Sequence, residues 1–411
     1  MLDELLSKVK KASFELLSLD NKIRKECLIN MANTILNNQD EILKKNQEDI
    51  LNAKTNNLSQ AMIERLTLNE NRIKSLANSI IEVANLNDVV GKNLQTFKRP
   101  NGLIIEKIAV PFGVIAAIFE SRPNVCVDIA SLCLKTANAC VLKGGKEAIN
   151  TNKELVRCMK EAIGQFVDPN CITLIEDINR STTIELLQKR QYIDLLIPRG
   201  GKGLIEYVVN NAKVPYIETG SGNCHLYVNE YADINMALNI AINAKYQRPS
   251  VCNSIENIIV DEKIAPLFLP KLYEKFKELN IEMRGCSKTL EIIKVNPATL
   301  KDFYTEYNDY IIAIKIVKDI YEAISHINIH SSKHSEAIIT NDLKMRDLFL
   351  NSIDSACVYH NASTRFTDGG EFGFGQEVGI STQKLHARGP MGINEICTYK
   401  YKIYGNGEVR K

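Results

Sequence analysis

Leu103-Ile-Ile-Glu-Lys-Ile-Ala-Val110, then Gly113-Val-Ile-Ala-Ala-Ile-Phe119, then Val125-Cys-Val-Asp-Ile-Ala-Ser-Leu-Cys-Leu-Lys135 and Cys140-Val-Leu-Lys143: this stretch decides the fold. The first run alternates like a strand with one covered face, the second is apolar throughout like a strand covered on both, and the third has helical spacing. The strand–helix rhythm continues through Cys171-Ile-Thr-Leu-Ile175, Asp194-Leu-Leu-Ile197 and Tyr216-Ile-Glu218, which predicts a parallel sheet of the nucleotide-binding kind. Upstream, residues 1–90 place Leu, Ile and Met at three- and four-residue spacing among Lys, Glu and Asn, so several surface helices are expected, with Asp20, Asn38 and Asn69 as caps. Downstream, a helix over 234–245 leads a second α/β series: Asn257-Ile-Ile-Val260, Tyr310-Ile-Ile-Ala-Ile-Lys-Ile-Val317, Ala337-Ile-Ile-Thr340 and Cys357-Val-Tyr359. The last run, Glu395-Ile-Cys-Thr-Tyr-Lys-Tyr-Lys-Ile-Tyr404, alternates like an exposed strand and needs a partner. The fold class is α/β.

Composition removes several function classes. With 411 residues, 45% hydrophobic and 24% charged, the chain is long enough for two or three domains and is not of disordered type. A net charge of +2, with lysines interleaved among acids, argues against nucleic acid as the main partner. The 11 cysteines lack CxxC or zinc-type spacing and fit reduced thiols in a cytoplasm. No signal peptide is expected from the acidic, amphipathic start, and no run approaches the ~18 apolar residues of a membrane helix.

Chemistry concentrates in a few loops. In Gln247-Arg-Pro-Ser-Val-Cys-Asn253, Pro249 and Ser250 break a helix just before Cys252 and set a thiol beside a guanidinium, conditions that favour the nucleophilic thiolate. The alternative is a small buried hydrophobe, the commoner state of a free cysteine. Arg122, Arg199, Arg248 and Arg388 each adjoin Gly or Pro in loops, where a guanidinium fork grips carboxylate or phosphate unless it is merely solvated. Lys143 ends a strand before Gly144 and Gly145. Gly200, Gly201 and Gly203 open a helix after another strand, a geometry able to receive pyrophosphate. His326, His330 and His334 are spaced four apart, but Ile327-Asn-Ile329 and Ser331-Ser332 read as poor helix and no acid or cysteine joins them, so no metal site is expected.

The Cys252 heptad closely resembles the nucleophile segment of the gamma-glutamyl phosphate reductase family, in the aldehyde dehydrogenase superfamily. Residues 110–125, 132–148, 198–201, 222–228, 334–340 and 372–392 resemble it too, in the family's order, so the likeness spans most of the chain beyond the N-terminal helices. It implies an aldehyde dehydrogenase-like α/β fold: an NADP-binding domain over 1–92 and 111–230, a catalytic domain over 231–388, and an oligomerisation flap from 93–110 and 389–411. It also implies NADPH-dependent reduction of L-glutamyl 5-phosphate to L-glutamate 5-semialdehyde in proline biosynthesis, in the cytoplasm, by a homo-oligomer in transient contact with glutamate 5-kinase. Cys252 is then the nucleophile and Asn124 an oxyanion donor, although Asn124 falls two residues later than the superfamily pattern places it. Lys143, with Gly144, is assigned to the adenosine ribose or its 2′-phosphate, the alternative being a strand-end lysine. Arg122, Arg248, His334, Lys384, His386 and Arg388 are candidates for the substrate. Glu218 falls near the hydrolytic base of dehydrogenases and is given no catalytic role, since such a base would spend the thioester on water. The rival readings are a hydrolysing semialdehyde dehydrogenase and a catalytically silent relative.

Overall fold

The computed structural model describes residues 2–410, which form two compact units. The first comprises 1–219, 373–379 and 391–411. It opens with the helices Leu2–Leu16, Asn21–Asn37, Gln39–Thr55, Gln60–Leu66 and Glu70–Asn85. Leu6, Val9, Ala12, Ser13 and Leu16 are the buried stripe of the first, the spacing that one helical face demands. Asp20 and Asn69 cap as expected, each accepting a backbone N–H at 2.9 Å, from Ile23 and Arg72. Asn38 does not. Its Nδ2 donates back to Thr34 O at 2.8 Å and its Oδ1 accepts from Arg157 at 3.0 Å, so the side chain faces away from the helix it precedes.

Strands β1 (Asn93–Lys98) and β2 (Ile104–Pro111) pair antiparallel, and β3 (Val114–Phe119), β4 (Ala139–Lys143), β5 (Ile172–Leu174) and β6 (Leu195–Arg199) form a parallel sheet in the order β5-β4-β3-β6. All six residues of β3 are buried, as befits the strand that sits between β4 and β6. The order reverses between β3 and β6, and at such a switch point a crevice opens beyond the carboxyl ends of the strands. Tyr216–Glu218 adds no strand. Leu196 donates to Pro215 O at 2.8 Å and Ile217 donates to Leu196 O at 3.0 Å, a single bridge that stops there, between Pro215 and Gly220.

The second unit comprises 220–372 and 380–390. Strands β7 (Cys224–Val228), β8 (Ile255–Asp261), β9 (Glu282–Gly285), β10 (Asn296–Pro297), β11 (Ile311–Val317), β12 (Ser335–Ile339) and β13 (Cys357–His360) form one parallel sheet, ordered β10-β9-β11-β8-β7-β12-β13. Residues 224–228, read from sequence as the end of the nucleotide-binding domain, thus pair between β8 and β12 in the second sheet. The helices Ile234–Tyr246 and Ala265–Glu278 bury their apolar stripes, Ala237, Ala241, Ala244, Phe268, Leu272 and Phe276 among them, against this sheet. The helix Ile320–His330 contains both His326 and His330, correcting the expectation that this run is poor helix; Asp319 caps it through Tyr321 and Glu322 at 3.0 Å, and Ile320, Ala323 and Ile327 anchor it in the core.

Two short strands, β14 (Gly379–Ser381) and β15 (Gly389–Met391), precede the tail strand β16 (Cys397–Tyr404). The tail finds the partner its pattern requires: β16 pairs antiparallel with β2 from Cys397↔Pro111 to Tyr404↔Ile104. In the resulting three-stranded flap β1 and β16 are the two edges, and Leu94, Phe97, Tyr399, Tyr401 and Ile403 remain exposed. No helix among the described residues is long and apolar enough to cross a membrane.

Candidate active site

Cys252 sits half-buried in the loop 247–254, between the helix Ile234–Tyr246 and β8. Both ends of the loop are tied. Lys245 Nζ meets Glu256 Oε2 at 2.5 Å, both side chains fully buried, and Ser254 Oγ donates to Ala244 O at 3.0 Å. Burial lowers the pKa of Lys245 and raises that of Glu256, while each partner opposes the change in the other. Beneath the loop, Cys224 Sγ donates to Cys252 O at 3.1 Å. A Cβ on Gly222 would lie 1.7 Å from that same carbonyl oxygen, so only glycine lets the backbone pass under the thiol. Asn253 is held from the far side: its Nδ2 donates to Thr367 O at 2.9 Å and its O accepts from Thr364 Oγ1 at 2.6 Å.

The other candidates of this unit take distinct positions. His334, expected to meet substrate, is fully buried; its Nδ1 pairs with Ser335 Oγ at 2.8 Å, and burial lowers its pKa to about 4, so it is a neutral part of the packing behind the loop. Arg388 and Lys384 converge on Asp354, both at 2.9 Å, and Lys333 joins at 3.2 Å. Three cations, Lys384 first, hold the Asp354 carboxyl well below its ordinary range. His386 is exposed on a left-handed backbone, φ 49°, and Arg248 is exposed near the start of the Cys252 loop.

The crevice of the first unit collects the remaining candidates at strand ends. Lys143, at the end of β4, is buried; desolvation lowers its pKa, Asp177 and Glu147 oppose this, and its Nζ has only a 3.5 Å contact with Gly144 O. An incompletely satisfied cation at a strand terminus suits a phosphate. A Cβ on Gly144 would lie 2.3 Å from the Asn152 side-chain amide, so a larger residue there would have to displace that side chain. The helix Lys202–Asn211 begins after Gly201, whose N–H donates to Glu120 Oε2 at 2.8 Å. A carboxylate already takes that donor, so pyrophosphate at Gly200, Gly201 and Gly203 requires Glu120 to withdraw. Arg199 acts on the half-buried Asp128, whose carboxyl is raised to about 6 by desolvation and drawn down by Asn124 and Arg199. Asn124 Nδ2 donates to Asp128 Oδ2 at 3.0 Å, and Arg122 stands at the start of the same helix, Pro123–Lys135.

Comparison with known proteins gives a consistent result. The aldehyde dehydrogenase family profile matches residues 24–311. Gamma-glutamyl phosphate reductase of Clostridium perfringens is 50% identical over 405 residues, 98% of each chain, and that of Carboxydothermus hydrogenoformans is 51% identical over 414 residues, covering both chains fully. The crystal structure of gamma-glutamyl phosphate reductase from Thermotoga maritima superposes with a TM-score of 0.98 at 44% identity, over the whole of both chains. The chain belongs to the gamma-glutamyl phosphate reductase family, within the aldehyde dehydrogenases.

In this family member sequence reasoning missed three groups that shape the site: Arg365, Asp354 and the Lys245–Glu256 pair. Arg365 lies in Ser363-Thr-Arg-Phe-Thr367, with no glycine or proline beside it, so the loop-arginine criterion passed over it. The other two act through partners remote in sequence or in the fold. Among the described residues no group of three or more His, Cys, Asp or Glu is placed to hold a metal. The His326 and His330 rings stack on each other at 3.9 Å, with Phe303 edge-on to His326 at 5.2 Å; burial drives the pKa of His326 down to about 2 and lowers that of the half-buried His330.

Lys245→Met leaves the Glu256 carboxylate without its ion-pair partner, and removing one member of a buried pair costs about 3–5 kcal/mol. Urea unfolding of this variant is expected to show such a loss, and the double variant Lys245→Met, Glu256→Leu is expected to regain most of it.

Proposed function

We propose that this chain reduces L-glutamyl 5-phosphate to L-glutamate 5-semialdehyde and phosphate with NADPH, a step of proline biosynthesis, through a thioester on Cys252. The observation that carries this reading is the loop itself, in a chain that aligns end to end with named reductases. Two thiols are half-buried, Cys252 and Cys286. Cys286 is held by Thr289 Oγ1 and Ile316 N, each at 3.4 Å, at an edge of the second sheet; Cys252 lies in the loop that a buried ion pair clamps.

The Cys252 thiolate attacks the acyl carbon and a tetrahedral oxyanion forms. We assign its stabilisation to the Cys252 N–H and the Asn124 amide; a carboxamide carries two N–H groups, and Asp128 takes one. The carbon–oxygen bond to phosphate then breaks, phosphate leaves with the electron pair, and the thioester remains. NADPH, when bound, supplies the hydride that takes the thioester to a thiohemiacetal, which releases aldehyde and the thiol. Lys143 and Gly144 are the residues assigned to its phosphate-bearing ribose, and the glycines 200, 201 and 203 to its pyrophosphate. No Lewis acid is required by this chemistry, because the acyl phosphate is already activated and its leaving group departs as a stable anion. The 11 cysteines without any disulfide support a cytoplasmic setting. Acyl phosphates are labile, which favours a brief contact with the glutamate 5-kinase that makes this one.

The deciding assay is reduction of NADP by purified protein with glutamate 5-semialdehyde. Turnover that requires inorganic phosphate is expected; phosphate-independent acid formation would mark a hydrolysing dehydrogenase instead. Cys252→Ala is expected to lose at least ~10³-fold in rate while binding NADP normally by fluorescence titration, since only the covalent step is removed. Residual turnover above that level would move the nucleophile elsewhere.

For Lys143→Ala, the Kd for NADPH is expected to rise about tenfold or more and that for NADH to change little, the value of one charge-assisted contact to the 2′-phosphate. Equal losses for both cofactors would put the lysine on the ribose they share.

We assign subunit association to the flap, whose edges β1 and β16 and exposed aromatic residues are suited to another copy of the chain. Protein ending before Glu395 is expected to sediment as a smaller species than the full chain. An unchanged sedimentation coefficient, after correction for the lost mass, would refute this assignment.

A further inference from the structure

Arg365 belongs to no role given above, yet its contacts bracket the nucleophile. Its Nε donates to Gln247 Oε1 at 3.1 Å, its Nη1 donates to Asn253 Oδ1, and its own carbonyl accepts from Asn253 Nδ2 at 3.3 Å. One guanidinium therefore spans the loop from its first residue to the residue after Cys252. Nη2 makes no hydrogen bond among the described residues. Within electrostatic reach lie the Cys252 sulfur and the guanidinium of Arg248, with Asp368 and Glu371 farther down the order of influence. Among the described residues no carboxylate hydrogen-bonds to Arg365. The positive charge of Arg248 acts unfavourably on Arg365, and an anion bound near both would relieve that repulsion.

We propose that Arg365 is a catalytic residue: it is the counter-cation of the Cys252 thiolate and, with Arg248, forms the subsite that binds the phosphate of the substrate and receives it as it leaves. This rests on the reading of Cys252 as the acyl acceptor. When sulfur attacks, the carbon–sulfur bond forms and the carbon–oxygen bond breaks; the electron pair goes to the departing phosphate oxygen, to which the remaining N–H groups of the fork can donate. Gln247 and Asn253 hold that fork in place, so the same contacts that order the loop aim the cation.

Two measurements test this. In ligand-free protein, alkylation of Cys252 by iodoacetamide is followed against pH and read by peptide mass spectrometry, which separates it from Cys286. In Arg365→Gln, loss of the nearby cation disfavours the thiolate, and the alkylation midpoint is expected to move up by about one pH unit. In the phosphate-dependent direction the same variant is expected to raise the KM for inorganic phosphate about tenfold or more, with the KM for NADP unchanged. Arg365→Lys keeps the charge and loses the fork, so the alkylation profile is expected to stay near wild type while the phosphate KM rises; it also carries the test should the glutamine variant fail to fold. A wild-type alkylation profile in Arg365→Gln, or an unchanged phosphate KM in both variants, overturns the proposal. If the unaltered protein shows no phosphate-dependent turnover, the functional reading fails, and the alkylation arm still decides whether Arg365 governs the thiol.

Discussion

The buried ion pair between Lys245 and Glu256 is the constraint on which the candidate site depends. One partner ends a helix and the other begins a strand, and between them runs the loop that carries Cys252. Taking two charges out of water is expensive, and hydrophobic residues of similar volume are often as stabilising or more so. A pair of this kind brings a defined geometry: the ammonium and carboxylate meet at one distance, and the loop's two ends are thereby held at one separation. Glu256 has a second obligation, accepting from Asn308 N at 3.1 Å, so the carboxylate is fixed by two neighbours.

From that clamp the remaining contacts follow in order. With its ends held, the loop presses its backbone on the segment beneath, where Gly222 gives way and Cys224 meets the Cys252 carbonyl. Gly222 N donates to Glu306 at 2.7 Å, which holds that lower segment in turn. Cys224 shows what the same thiol becomes when buried: desolvation pushes its pKa well up, and it serves as a weak donor. Cys133 and Cys140 are likewise fully buried, packed in the helix and strand of the first unit. Position separates the half-buried nucleophile candidate from these inert thiols, because a thiolate needs solvent or a cation to exist.

Most of the fold was legible because it is written in short-range pattern. Val114–Phe119 is a continuous apolar run and Ile311–Val317 is interrupted only by Lys315, and burial leaves few other options for them. Pairing choice is not written there. Nothing in Cys224-His-Leu-Tyr-Val228 tells which sheet it joins, and that depends on neighbours far along the chain. The helix 320–330 was misjudged because packing of Ile320, Ala323 and Ile327 outweighs the weak propensity of its polar residues. At the site, the loop that carries Cys252 was readable from the break at Pro249. The commitment of Arg388 to Asp354 was not, since an arginine's sequence neighbours do not say which distant carboxylate the fold brings to it.

Charge balance explains why arginines should gather at this thiol. Attack brings a thiolate toward a substrate that is itself anionic. Two unit charges at 4 Å in an effective dielectric of 20 repel by about 4 kcal/mol, and a barrier raised by that amount slows a reaction roughly a thousandfold. One guanidinium beside the sulfur would settle the resting thiolate and leave the incoming phosphate opposed. On the role proposed for Arg365, it and Arg248 would supply two positive charges against one thiolate, with Asp368 and Glu371 acting on Arg365 more weakly than Arg248 or Cys252 does. A carboxylate hydrogen-bonded to either arginine would cancel one of these charges. The fork of Arg365 is held instead by the neutral amides of Gln247 and Asn253, which orient it without reducing its charge.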